Sequence, residues 1–136
     1  LSDLAPDGSE TFIQSGRLRL SRRELDSDAT PLRPRITNRE RDIAPLETNE
    51  VAEASVAIPA FAHVLRPGHR LALTIDTPGG SAPEWTFDVI PEPITIEVLS
   101  GSTLLLSSIP QEALNVDIPE LAPACGSLRA QPCRRP

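Results

Sequence analysis

The chain has 136 residues, enough for one domain with a sizeable core. Its net charge is −6, and all thirteen basic residues are arginine. That balance argues against a nucleic-acid footprint, which needs a net basic face. Aromatic side chains make up only 3% of the sequence, so base- or sugar-stacking platforms are hard to assemble. No apolar run approaches the ~20 residues of a membrane span, so no membrane partner is expected. The chain contains no methionine and opens at Leu1 inside what reads as a strand. The expectation is a fragment or processed piece of a longer protein, with a complete chain that lost its initiator as the alternative.

In chain order, Leu1–Ala5 reads as the end of a strand, and Pro6-Asp7-Gly8-Ser9 as a tight turn. Thr11–Gln14 is a second extended piece. After the Ser15-Gly16 turn, Arg17–Ser21 alternates, with Leu18 and Leu20 inward and Arg17 and Arg19 outward. These pieces predict a β-meander. Residues 22–49 lose apolar periodicity and gain charge and proline, which predicts a long excursion without regular structure. Glu50–Ile58 returns to extended structure. Residues 59–65 predict one helical turn or an irregular connection packed by Phe61 and Val64.

Pro67-Gly68 then turns the chain into Arg70–Asp76, where Leu71, Leu73 and Ile75 share one parity. Residues 77–81 read as a loop, and Trp85–Val89 as a strand. Ile94–Leu99 and Ser102–Ser107 flank Ser100-Gly101 as a β-hairpin. About seven short strands, with frequent Pro and Gly and little helix, predict an all-β antiparallel sandwich or jelly roll. The domain is expected over 1–110. Residues 111–136, rich in Pro, Ala and Arg, are expected to form a poorly ordered tail.

Few residues suggest chemistry. Gly79-Gly80-Ser81 lacks the strand–turn–helix setting that exposes a nucleophilic serine. His63 and His69 are the only histidines. Each can serve as a general base in principle, but the favoured reading is a half-buried ring bonded to backbone or placed at a domain interface. Asp26, Asp28 and Asp42 with Glu24, Glu40, Glu47 and Glu50 make the excursion acidic. Their spacing fits no calcium loop, and the interleaved arginines 22, 23, 33, 35, 39 and 41 suggest a solvated or interface salt-bridge surface. Cys125 and Cys133 read equally well as a short-loop disulfide or as two free thiols, and without a nearby histidine they make no zinc site. No catalytic residue, metal or cofactor is expected in this chain. Arg17, Arg19 and Arg22 are candidate interface residues, because a planar guanidinium suits carboxylates across a contact.

Three blocks of sequence carry a family resemblance. They are Leu1-Ser-Asp-Leu-Ala-Pro-Asp-Gly-Ser9 with Gly16-Arg-Leu-Arg-Leu-Ser-Arg22, then Pro59-Ala-Phe-Ala-His-Val-Leu-Arg-Pro-Gly-His-Arg-Leu-Ala-Leu-Thr-Ile75, and lastly Ser102–Pro110. In this order, over residues 1–110, they resemble the C-terminal domain of the X-prolyl dipeptidyl peptidase and cocaine esterase family of serine hydrolases. The resemblance implies a jelly-roll sandwich similar to galactose-binding modules. It implies a non-catalytic role, packed on an α/β-hydrolase domain of the same parent chain that carries the catalytic serine, aspartate and histidine. His63, His69 and Arg70 then join the three arginines as candidate interface residues, and a homo-oligomer is a further possible partner. The compartment is left open. The family's domain starts several strands before its Pro-Asp-Gly turn, and the tail beyond Pro110 matches nothing in it. The alternative reading is a stand-alone carbohydrate-binding module with Trp85 as its one strong platform, although the alternation of Trp85 with Phe87 and Val89 suggests core.

Overall fold

The computed structural model describes residues 1–76, 94–114 and 116–118, with the backbone of Cys133 and Arg134. Its regular structure is one antiparallel sheet of four short strands: β1 (Ser2–Leu4), β2 (Glu10–Phe12), β3 (Arg70–Ala72) and β4 (Cys133–Arg134), in the order β3-β1-β2-β4. No α-helix occurs among the described residues, only 3-10 turns at Leu20–Arg22, Glu40–Asp42 and Gln111–Ala113. The expected all-β class holds.

β1 and β2 form the predicted hairpin, in register Ser2↔Phe12, Asp3↔Thr11 and Leu4↔Glu10. Their turn is closed by Ala5 N–H to Ser9 O at 2.9 Å and Gly8 N–H to Ala5 O at 3.0 Å. Ile13 N–H to Leu1 O continues the pairing, and the Leu1 ammonium donates to Gln14 O at 2.8 Å. β3 lies on the other side of β1, with Asp3 opposite Leu71 and Leu4 opposite Arg70. Side chains directly opposite in a ladder share a face. Asp3, Thr11 and Leu71 therefore occupy one face of the sheet, and Leu4, Glu10 and Arg70 the other.

The Pro67-Gly68 turn that feeds β3 is set by His69 N–H to Arg66 O at 3.0 Å, with Gly68 at φ +81°. A Cβ at Gly68 would also stand 3.2 Å from Pro6 Cγ. Gly68→Ala is thus expected to cost about 1–3 kcal/mol, mainly through backbone conformation. The shift in denaturation midpoint checks it; a neutral substitution would mean that the turn relaxes freely.

Several expected strands do not enter a ladder. Arg17–Ser21 keeps its alternation, with Leu18 and Leu20 half-buried and Arg17 and Arg19 exposed, but Leu20–Arg22 turns as a 3-10 segment. The Arg23 guanidinium fixes that turn by donating to Leu20 O at 3.2 Å and to Ala44 O, and by pairing with Glu50 at 3.3 Å. Residues 50–58, expected to be extended, form no strand and pair with no described strand. Residues 59–65 are irregular, but Phe61 and Val64 do not pack the connection: they are 40% and 37% exposed. Leu71, Leu73 and Ile75 are exposed as well; Leu71 lies on the edge strand of the described sheet, and Leu73 and Ile75 follow beyond its end. At Ser100-Gly101 the predicted turn forms, with Ser102 Oγ donating to Leu99 O at 3.0 Å, yet its flanks pair with nothing described. The expected loop at 77–81 and strand at Trp85–Val89 lie outside the described residues.

The excursion over 22–49 is doubled back on itself rather than shapeless. Isolated bridges join Leu25 to Ile36 and Thr30 to Arg33, and Arg35 pairs with Asp28 at 2.6 Å. The buried part of the described structure is small and sits at β1: Leu1, Ser2 and Asp3 are its only buried residues.

Candidate functional site

Asp3 is the centre of the one side-chain cluster that gathers predicted site residues. It is inward on β1 and 5% exposed. His69 lies two residues before Leu71, the residue opposite Asp3, so it is Asp3's diagonal neighbour on the same face. Diagonal pairs in a ladder are within reach of a long side chain. His69 Nδ1 stands 2.8 Å from Asp3 Oδ1. His63, from the irregular segment before the turn, brings its Nε2 to 2.7 Å from Asp3 Oδ2. Both rings are more than four-fifths buried.

With Asp3 ionised, each ring donates to a separate carboxylate oxygen. His69 then carries its proton on Nδ1 and His63 on Nε2. Two donors satisfy a carboxylate that desolvation would otherwise make costly. The half-buried setting expected of each histidine holds, but the ring partner is not backbone: it is a buried side chain sixty or more residues away in sequence. The missed residue is Asp3. Its signal was a charged residue on the inward parity of a strand between Leu1 and Leu4, which calls for a buried partner.

An aspartate orienting an imidazole is half of a nucleophilic triad. The other half is missing: no hydroxyl or thiol among the described residues is bonded to either ring. Nor do the described residues group three His, Cys, Asp or Glu side chains so as to hold a metal ion. The cluster's chemistry is that of a satisfied tie between distant segments.

The other predicted interface residues do not join it. Arg17 and Arg19 lie exposed after Gly16, and Arg22 donates to Asn38 Oδ1 at 3.4 Å on the excursion. Arg70 is exposed on the opposite face from Asp3. The excursion's carboxylates are partly taken up by arginines, as in Arg23–Glu50 and Arg35–Asp28. Such exposed pairs contribute little stability. The thiol pairing of Cys125 and Cys133 lies outside the described residues.

Asp7, in the β1–β2 turn, has its carboxyl held below the usual carboxylate range. The main cause is the Ser9 hydroxyl, which donates to Oδ1 at 2.7 Å, followed by the Ser9 backbone N–H at 2.9 Å. Because the folded-state value is depressed, this contribution is present above the ordinary carboxylate value. It is lost as pH falls through the depressed one. Ser9→Ala is expected to move the Asp7 titration up toward the ordinary value, read from its carboxyl carbon by NMR; an unchanged midpoint would refute the assignment.

A comparison with family models matched residues 1–83 to the X-Pro dipeptidyl-peptidase C-terminal non-catalytic domain. The match takes in β1 to β3, the Asp3 cluster and the Gly16 and Gly68 turns; residues 94–110, part of the sequence resemblance, lie beyond it. No curated protein and no solved structure matched the chain. By the match over residues 1–83, the chain belongs to the family of X-Pro dipeptidyl-peptidase C-terminal non-catalytic domains.

Proposed function

We propose that this chain is the non-catalytic β-sandwich part of a serine hydrolase of the X-prolyl dipeptidyl peptidase or acyl esterase type. It packs on an α/β-hydrolase catalytic domain of the same parent chain and shapes the surroundings of that domain's active site. The family match over residues 1–83 carries the reading. The distribution of apolar surface supports it. Leu73, Ile75, Ile94 and Ile96 are half or more exposed, although their alternating pattern is that of strands with one covered face. A jelly roll completed by other segments of the parent would cover them. Arg17, Arg19, Arg22 and Arg70 are the side chains proposed to meet carboxylates of the catalytic domain, with His63 and His69 fixing the surface between them.

The expected result for the purified chain is no turnover of acyl esters or X-prolyl amides above background. The parent polypeptide should hydrolyse one of these classes and lose that activity to a serine-directed reagent. Reagent-sensitive turnover by the chain alone would overturn the non-catalytic assignment. A parent that lacks any such activity would overturn the enzyme class.

A further inference from the structure

We infer that residues 59–65 form a strap over the sheet, latched by His63 on Asp3 and able to open while the sheet stays formed. Three observations carry this. First, no residue from 59 to 65 makes a backbone hydrogen bond to another element. Second, Phe61, Val64 and Leu65 are all exposed, so apolar burial does little to seat the segment. Third, the one side-chain bond from 59–65 to the sheet is His63 Nε2 to Asp3 Oδ2 at 2.7 Å.

The two histidines thus have different duties. His69 adjoins β3, and its bond to Asp3 Oδ1 belongs to the sheet's own diagonal pairing. His63 reaches the same carboxylate from outside the ladder. When the strap lifts, Asp3 keeps its His69 partner, and water can take the place of His63 on Oδ2. No ladder bond breaks, and the Asp3 carboxylate is not left without a partner. A segment with few buried apolar contacts and no ladder bonds is the kind that opens below the global unfolding free energy. Opening uncovers the Asp3–His69 pair to solvent.

The test is limited chymotrypsin cleavage after Phe61 on the parent polypeptide, wild type and His63→Gln, with hydrogen exchange of the 1–14 peptide as the report on the sheet. In the wild type, cleavage after Phe61 should proceed faster than the 1–14 amides open. His63→Gln should speed that cleavage by at least tenfold and leave exchange in 1–14 within twofold. His69→Gln should instead speed the cleavage and the 1–14 exchange together. An unchanged cleavage rate in His63→Gln would overturn the latch. Wild-type protein cleaved after Phe61 no faster than its 1–14 amides open would overturn the separate strap, and that measurement holds even if a variant does not fold.

Discussion

Asp3→Ala is expected to be the most damaging single substitution in the described structure, lowering the opening free energy of β1 and β3 by about 3 kcal/mol or more. Asp3 accepts from two imidazoles at 2.7 and 2.8 Å and is almost completely buried. Its removal loses two bonds to a charged acceptor, each worth about 1.5–3 kcal/mol. It also leaves two ring N–H groups in a site with little water. Both rings keep some exposure, which places the loss near the lower end of the range for breaking a buried pair. Asp3→Asn separates charge from shape. The amide oxygen accepts from one ring, while the amide N–H₂ requires the other ring to present its bare nitrogen, a tautomer change that the rings can make. The expected cost is about 1–2 kcal/mol, below that of alanine. Amide exchange in β1, measured in the parent polypeptide, checks both values. An alanine variant within about 0.5 kcal/mol of wild type would mean that the carboxylate is ornamental to the fold.

The parts of this fold that sequence discloses are those fixed by neighbouring residues. Pro6-Asp7-Gly8-Ser9 closes its hairpin through its own backbone and the Asp7 side chain, so the turn was readable without knowing anything distant. Pro67-Gly68 likewise announces the entry to β3. What alternation cannot disclose is a partner. Arg17–Ser21, Ile94–Leu99 and Ser102–Ser107 alternate as strands do, yet β pairing depends on a cross-strand neighbour rather than on an intrinsic preference of the segment. Arg17–Ser21 meets the Arg23 clamp instead, and the later pair meets nothing described. The histidines make the same point. Half-burial followed from their setting, but the carboxylate that holds them stands 60 and 66 residues upstream, and only the β1–β3 register brings it there. Once that register is known, Asp3 explains itself: an inward charge on a strand needs donors, and the two histidines supply them.

Gly16→Ala is expected to cost about 1–3 kcal/mol, for reasons of space alone. Gly16 sits where the chain leaves the hairpin and passes the backbone of residues 56 and 57. A Cβ there would overlap the Ala57 carbonyl oxygen, with the Ala57 carbonyl carbon at 2.9 Å and Val56 Cγ1 at 3.0 Å. The first two are backbone atoms, so no rotamer change relieves the clash; one of the two segments must move. Residues 50–58 belong to no ladder, so movement is available there, which keeps the cost within that of ordinary overpacking. Relief by that route pushes 56–57 away from the hairpin and toward the strap that follows it at residue 59. Gly16→Ala should therefore combine its stability loss with faster chymotrypsin cleavage after Phe61 and little change at β1. Gly16→Val, with two further carbons, should exceed the alanine cost. An alanine variant as stable as wild type, with unchanged cleavage after Phe61, would show that this close approach does not persist in solution.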